Sequence, residues 1–314
     1  MSAKILVSTE GMPHADWLEY RKQGIGGSDA SVVCGINRYK SPVELWLDKT
    51  GQLPPQEAGE AAYWGTQLEP FVRAEFTKRT GIEVRTVNQL LKSEEYSFML
   101  ANLDGICEVP DVGTCVFEAK TASAYKAGEW EDTIPDEYML QVQHYMAVTG
   151  YAGTYIAVLI GGNTFKWRFV ERDEELIAML IELETAFWNH VQDGTSPPLD
   201  GSEASAKFLA ERFRDSIPKS HITLPDIATD LLDQYDEACE ELEAVTERKQ
   251  KAENLLKEMM GENEVGTVGD RIVTWKSVSQ ERLDSKTLKV EHPALCKKYT
   301  NKTSYRRFTI KAAS

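Results

Sequence analysis

The sequence predicts a mixed α/β fold, in which a central sheet is flanked by helices and followed by a helical and β extension. Two observations lead to this class. Between residues 61 and 193 the spacing of apolar residues changes from the helical period to alternation and back again, twice. The composition, with 42% hydrophobic and 27% charged residues, is that of a globular protein with a substantial core. Strands enclosed between helices in this order are typical of a mixed sheet covered by helices.

Three short helices are predicted in the first fifty residues. The first covers 13–22 and ends at the glycines of GIGGSD. The second begins at Ser28 or Asp29, because either side chain can cap a helix N-terminus. The third spans 41–50, with Pro42 in its first turn, where a proline is well tolerated.

The central elements follow in the order helix, strands, helix, strands, helix. A longer helix is predicted over about 61–80, and then the segments EVRTVNQLLK, YSFMLANLDG and TCVFEAK alternate as strands do. Residues 136–149 return to helical spacing. TYIAVLIGG and TFKWRFV read as two strands of a hairpin around GGN, and an amphipathic helix is predicted over 173–193.

The adjacent prolines 197 and 198 predict a boundary between a core of residues 1–200 and an extension of residues 201–314. In the extension, apolar residues recur at alternating spacings of four and three from Leu231 to Met259. This heptad pattern fits a long helix packed on its own domain, a helical hairpin or an intermolecular coiled coil. The sequence leaves these arrangements open.

Charge and cysteine content bound the function only loosely. The formal net charge is −15, yet residues 265–314 carry 11 basic and 4 acidic residues. The acidic total therefore neither indicates nor excludes a nucleic-acid partner. No apolar run approaches the roughly 18 residues of a membrane span, and the N-terminus lacks signal-peptide features. Five scattered cysteines without a CxxC pair predict a reducing cytosol and no structural zinc.

Asp104, Glu118 and Lys120 are the main candidates for metal-binding and catalytic residues. Strand side chains alternate between faces, so Glu118 and Lys120 point the same way. A hairpin turning at PDVG would bring Asp104, at the end of the preceding strand, beside Glu118. Two carboxylates with a backbone carbonyl form a hard oxygen site suited to Mg²⁺ or Mn²⁺. A solvated surface hairpin is the alternative, but the strongly apolar flanking strands predict burial, where charges need a partner or a metal.

Four separated segments then resemble one family. They are RKQGIGGSDAS (21–31), continued by SPVELWLDKTG, GTQLEPFVRAEF (65–76), LDG with FEAK, and EYMLQVQHYM (137–146). In this order they are similar to the YqaJ-type viral recombinases related to bacteriophage lambda exonuclease, within the PD-(D/E)xK nuclease superfamily. The resemblance covers about residues 15–195 and implies a restriction-endonuclease-like core.

The resemblance also implies an active site that holds two Mg²⁺ ions, with Mn²⁺ as a substitute. Its implied metal ligands are Glu69, Asp104, Glu118 and the backbone at Phe117. Lys120 is then the catalytic lysine, joined by a glutamine that is either Gln141 or Gln143. The pairing of Gln141 with Tyr145 one helical turn later favours Gln141, as in nucleases with a QxxxY motif.

The GIGGSD loop has a role under the same resemblance, the binding of a DNA 5′-phosphate. Glycines let backbone N–H groups approach an anion closely, while Arg21 and Ser28 add a charge and a hydroxyl. Lys126 is a third phosphate contact by analogy. The plain alternative is a connection between two helices.

The function implied is a Mg²⁺-dependent 5′→3′ exonuclease that digests one strand from double-stranded DNA ends and leaves a 3′ overhang for phage-type recombination. A ring-shaped homotrimer, a single-strand annealing protein as partner and the cytoplasm of a bacterial host belong to the same expectation. Two alternatives remain, an endonuclease on the same core and a non-catalytic DNA-binding scaffold.

Overall fold

The computed structural model describes residues 2–54, 59–301 and 305–311. The chain divides into two compact units, Met1–Arg214 and Asp215–Ser314. The first unit contains every segment of the family resemblance.

The first unit alternates helices and strands along the chain. Its strands are β1 (Ala3–Ser8), β2 (Ile25–Gly26), β3 (Val84–Arg85), β4 (Gln89–Ser93), β5 (Met99–Asn102), β6 (Gly105–Val109), β7 (Gly113–Ala122), β8 (Gly153–Ile160) and β9 (Thr164–Glu171). Its α-helices are α1 (His14–Arg21), α2 (Gly27–Val33), α3 (Pro42–Lys49), α4 (Glu60–Thr80), α5 (Asp136–Thr149), α6 (Glu174–Asp193) and α7 (Glu203–Arg212). A 3-10 helix, Ala124–Trp130, follows β7.

A five-stranded mixed sheet forms the centre of this unit. Its strand order is β3-β6-β7-β8-β9, and β7 pairs with β8 in parallel while the other neighbours are antiparallel. The predicted mixed α/β class, with helices flanking the sheet, is therefore confirmed.

Helices α4 and α5 cover opposite faces of the central sheet. Val116 is buried with residues of α5, whereas the next residue, Phe117, is buried with Phe76 of α4. This division follows from the two-residue period of strand side chains. Glu118 and Lys120 share the α5 face with Val116.

The partner of β7 differs from the sequence prediction. β5 was expected to pair with β7, but it lies in a second, four-stranded sheet of order β1-β4-β5-β2. The antiparallel partner of β7 is β6, because the chain turns tightly at Asp111, whose φ of 63° is left-handed. In a hairpin with a short turn, the strand after the turn pairs with the segment directly before it. Asp104 consequently lies between β5 and β6, where the chain passes from one sheet to the other.

The boundary between the units lies after Arg214 rather than near residue 200. Helix α7, which follows the two prolines, belongs to the first unit because Phe208 is buried in a cluster with Val43 and Phe187. The core thus recruits one more helix than the sequence assigned to it.

A buried ion pair joins α5 to α6. His144 Nδ1 lies 2.8 Å from Glu184 Oε1, its Nε2 donates to the backbone oxygen of Leu100 at 2.9 Å, and neither charged side chain is exposed. Burial alone would lower the pKa of His144, but Glu184 and the Leu100 carbonyl raise it above its usual value. A raised pKa in the folded state stabilises the protein below the unfolded pKa of about 6.5 and ceases to do so as the pH rises through the folded value.

We therefore expect the free energy of unfolding to fall between pH 6 and pH 9 because His144 loses its proton. Urea unfolding at both pH values measures this loss. In Glu184→Gln the amide can still accept from a neutral imidazole, so the loss should be much smaller. An equal loss in the two proteins would contradict this assignment.

The second unit is built around one long helix. Its elements are α8 (Ile227–Met260), the antiparallel hairpin of β10 (Val265–Val268) and β11 (Arg271–Thr274), α9 (Ser285–Glu291) and α10 (Pro293–Lys298). The predicted long helix is confirmed. Met260 is the only residue of α8 that is buried, so the heptad residues are exposed in the described chain. Whether the heptad residues pack against this chain or against a second chain stays at the level of the sequence prediction. Within the described ranges, no helix has both the length and the apolarity needed to cross a bilayer.

Candidate active site

Strand β7, helix α5 and Asp104, the residue before β6, bring the predicted catalytic side chains together. Lys120 Nζ donates to Glu118 Oε1 at 2.6 Å and to Gln141 Oε1 at 2.9 Å. Gln141 Nε2 donates to the same Glu118 oxygen at 2.7 Å. The three side chains form a closed hydrogen-bonded triangle on the α5 face of the sheet. Lys120 Nζ also lies 4.8 Å from the centre of the Tyr138 ring, a cation–π contact that further fixes it.

The structure separates the two candidate glutamines. Gln141 reaches the triangle and donates to the Tyr145 hydroxyl at 3.0 Å. Gln143 lies two residues further along α5, which turns its side chain away. Its amide donates to the Glu171 carbonyl at 2.8 Å and its oxygen accepts from the Asp173 N–H at 3.0 Å. Gln143 therefore ties α5 to the β9–α6 connection, and the structure does not bring it to the triangle.

Asp104 approaches the triangle from the junction of the two sheets. Its Oδ2 accepts from the Ala119 N–H at 2.8 Å, which holds the carboxylate beside β7. Its backbone oxygen accepts from Arg73 of α4 at 3.3 Å, and the same guanidinium nitrogen donates to Glu69 at 3.1 Å. Glu69 is therefore close to the site but is paired with Arg73.

The acids of this cluster disfavour one another's charge. Burial raises the pKa of Glu118 to about 8, with the Asp104 carboxylate adding to the effect and Lys120 opposing it. Burial also raises the pKa of Asp104, against the opposing effect of Lys120. The pKa of Glu69 rises to about 7, by burial first and by Asp104 second. Such a cluster is short of positive charge, and a divalent cation is the group that would supply it.

Two carboxylates of the cluster have the donor atoms that Mg²⁺ or Mn²⁺ requires. Among residues 2–54, 59–301 and 305–311, no three acidic, histidine or cysteine side chains converge to enclose a metal by themselves. Mg²⁺ does not need such a cage, since one or two carboxylates, waters and a substrate phosphate commonly bind it. Glu118 Oε2 is buried and has no hydrogen-bond partner. A buried oxygen of this kind is costly unless a ligand meets it, so Glu118 and Asp104 fit a divalent cation.

The backbone of Ala119, two residues after the predicted backbone ligand Phe117, contacts Asp104. Phe117 lies opposite Gly105 at the last position of the β6–β7 ladder, so its polar backbone atoms face β6. Ala119 lies beyond that ladder, and its N–H points to Asp104. The N–H and C=O of a strand residue point to the same side. The carbonyl of Ala119 is therefore directed to the side of Asp104, and the assignment of Phe117 as backbone ligand stays a prediction.

Arg21 and Ser28 are brought together as predicted from the resemblance. The Arg21 guanidinium donates to Ser28 Oγ at 2.9 Å and lies 3.2 Å from Asp29 Oδ1. It also covers the Trp17 ring at 4.9 Å. These contacts hold one cationic group and one hydroxyl side by side.

The Arg21–Ser28 pair lines the same cavity as the acids. The cavity has a volume of about 150 Å³. Its other polar side chains are Asn102, Asp104, Glu118, Gln141 and Tyr145. A phosphate held by Arg21 and Ser28 would therefore lie in the same cavity as Glu118.

Helix α2 packs unusually closely against α5 at this cavity. A Cβ added at Gly27 would lie 2.5 Å from Tyr145 Cε1, far inside van der Waals contact. Tyr145 accepts the hydrogen bond from Gln141. The glycine loop is thus in direct contact with the residue that orients the glutamine.

Lys126 does not line this cavity. It belongs to the 3-10 helix, where its Nζ donates to the Tyr39 hydroxyl at 3.1 Å and lies 4.0 Å from Glu129. The structure therefore does not bring the third predicted phosphate contact to Arg21 and Ser28.

Three neighbours of the site were not identified from the sequence. Arg73 lies one turn after Glu69, and this helical spacing was a readable signal for an ion pair. Tyr138 and Asn102 carried no local signal, because tertiary packing alone places them beside Lys120 and in the cavity.

Comparison with known proteins gives four further findings. The sequence profile of the YqaJ-like viral recombinase domain matches residues 16–152. The uncharacterized protein YqaJ of Bacillus subtilis (strain 168) is 42% identical over 318 residues, covering 99% of this chain and 98% of that protein. An alkaline exonuclease from Laribacter hongkongensis superposes with a TM-score of 0.47 at 22% identity, over 57% of this chain and 93% of that one. A phage related exonuclease from Haemophilus somnus 129PT gives 0.44 at 14% identity, over 54% and 94%. The similarity to the Bacillus subtilis protein spans both compact units.

Proposed function

Because the chain belongs to the YqaJ-like viral recombinase family, we propose that it is a metal-dependent deoxyribonuclease that digests double-stranded DNA from its ends. The observation that carries the proposal is the triangle of Glu118, Lys120 and Gln141 beside Asp104. Its orphaned oxygen, Glu118 Oε2, faces no protein partner. A lysine and a glutamine held against a metal-binding carboxylate are suited to phosphodiester hydrolysis.

The chain's own residues would orient the reaction. When bound at Glu118 and Asp104, Mg²⁺ or Mn²⁺ supplies a water of lowered pKa and stabilises the leaving alkoxide. Lys120 Nζ donates a hydrogen bond to the attacking water or to a non-bridging phosphate oxygen, where negative charge develops. Gln141 fixes the direction of Lys120 and Glu118, and Tyr138 restricts Lys120 from the side.

End recognition would come from Arg21 and Ser28. A guanidinium and a hydroxyl are suitable donors for a terminal phosphate, and both line the cavity that contains Glu118 and Asp104. A 5′-phosphate bound there places the cleavable bond next to the carboxylates. This arrangement supports 5′→3′ digestion of one strand, which leaves a 3′ overhang.

The wider role that we propose follows from the family. The chain would act in phage-type recombination in the cytoplasm of a bacterial host, as a ring-shaped homotrimer that encircles duplex DNA. Its overhang would be handed to a single-strand annealing protein. Two ions per site is the count that the family resemblance implies.

The test uses linear duplex DNA labelled on one strand, with 5′-phosphate or 5′-hydroxyl ends, and covalently closed circular DNA. Each substrate is incubated with Mg²⁺, with EDTA, or with Mg²⁺ and the Glu118→Ala variant. We expect nucleotide release from phosphorylated linear ends with Mg²⁺, and loss of release with EDTA or with the variant.

Glu108→Ala provides the matched control. Glu108 is a solvent-exposed glutamate of the neighbouring strand β6 and pairs with Arg85 away from the site, so its removal should leave the rate unchanged. Nicking of the circle would instead indicate an endonuclease. DNA binding without any product would leave a non-catalytic scaffold.

A further inference from the structure

Arg73 is a cation of α4 that contacts two of the acidic residues of the site. One of its nitrogens, NH1, donates both to Glu69 Oε1 at 3.1 Å and to the backbone oxygen of Asp104 at 3.3 Å. Its side chain is 19% exposed and that of Glu69 is 29% exposed, so water screens the pair only partly. The guanidinium therefore ties α4 to the sheet junction at which Asp104 lies.

The carboxylates of the cluster differ in whether a protein group already binds their oxygen atoms. Glu118 Oε2 is buried and has no hydrogen-bond partner, whereas Oδ2 of Asp104 accepts from the Ala119 N–H. Glu69, in contrast, already faces a full positive charge. The described chain accordingly contains no convergence of three metal-binding side chains, even though three acids lie near one another.

We propose that Arg73 takes the place of a second divalent cation, so that the protein without DNA binds one ion tightly at Glu118 and Asp104 and a second one only weakly. The inference rests on the proposed function and changes its ion count. Arg73 is a positioning residue in this role, since it acts through Glu69. A nearby fixed positive charge repels an incoming cation and occupies the carboxylate that would otherwise bind it.

The experiment is titration of Mn²⁺ into the full-length protein without DNA, followed by calorimetry and by electron paramagnetic resonance of the free ion. Wild-type protein should bind one tight Mn²⁺ per chain. Arg73→Gln keeps a hydrogen-bond donor but removes the charge, so it should strengthen the second binding event by about tenfold or more. Arg73→Lys retains the charge and should restore the wild-type titration.

Arg79→Gln is the matched control. Arg79 lies on the same helix and pairs with Glu75 at the same i,i+4 spacing, 2.6 Å apart, but it is 44% exposed and lies outside the cluster. Its replacement should leave both binding events unchanged. Two equally tight ions in the wild type, or a second event that does not respond to Arg73→Gln, would overturn the inference. The proposed function fails separately, if Glu118→Ala leaves the first ion bound as tightly as before.

Discussion

Lys120→Met is expected to lower the rate of nucleotide release from linear duplex DNA by about 10²–10³-fold, the usual cost of removing one positioned donor from a developing charge. Methionine has a similar length and can keep the contact with the Tyr138 ring. It cannot donate to Glu118 or Gln141, which now accept at 2.6 and 2.9 Å. Single-turnover kinetics with saturating enzyme measures the chemical step directly.

Binding distinguishes a chemical role for Lys120 from a structural one. With Ca²⁺ in place of Mg²⁺, the affinity of the variant for a duplex end should stay within a few fold of the wild type, because Arg21 and Ser28 are untouched. Lys166→Met is a suitable control, since Lys166 lies on β9 and donates to the carbonyl of Trp130 in the 3-10 helix. A variant that binds normally and cuts at the wild-type rate would remove Lys120 from the mechanism.

Asp29→Asn is expected to lower the free energy of unfolding by about 3–5 kcal/mol, because it leaves a buried cation without its partner. Lys49 Nζ lies 2.8 Å from Asp29 Oδ2, and these side chains are only 3% and 8% exposed. Burial alone would raise the pKa of Asp29, but Lys49 and Arg21 together hold it far below its usual range. Burial lowers the pKa of Lys49, so the ammonium depends on Asp29 to remain charged.

Urea unfolding at pH 7 measures the difference, with Asp48→Asn as control. Asp48 pairs with Lys40 at 2.7 Å but is 40% exposed, so its loss should cost less than about 1 kcal/mol. A depressed pKa also fixes the direction with acid. The stabilisation by Asp29 is present above its unfolded pKa of about 3.9 and declines as the pH falls below that value towards the folded pKa. Equal effects of the two substitutions would contradict the assignment of Asp29 as a buried anchor.

The long periodic segments were the predictable part of the fold. The helix expected over 136–149 is Asp136–Thr149, and that expected over 173–193 is Glu174–Asp193. Strands β1 and β6 were missed for a different reason. β1 pairs with β4 more than eighty residues away, and β6 follows β5 after only two residues, so it was not recognised as a separate strand.

The site residues that could be predicted from the sequence are those whose side-chain direction is fixed by spacing along one strand or one helix. Glu118 and Lys120 share a strand face, and Gln141 and Tyr145 share a helix face, so these pairs were readable. The backbone ligand was assigned to Phe117 from the family resemblance. The β6–β7 ladder ends at Phe117 and leaves the backbone of Ala119 unpaired with β6, and this register depends on tertiary structure. Lys126 was assigned by analogy, and its bond to Tyr39 depends on a loop that no local pattern positions.

The contact between Gly27 and Tyr145 has a consequence for how this family can diverge. Any side chain at position 27 would collide with the tyrosine ring, and a smaller residue at position 145 would release Gln141 from its acceptor. The two positions are therefore sterically coupled. A glycine loop with any larger residue at position 27 would need a side chain smaller than tyrosine at position 145, and that exchange would in turn remove the acceptor of Gln141.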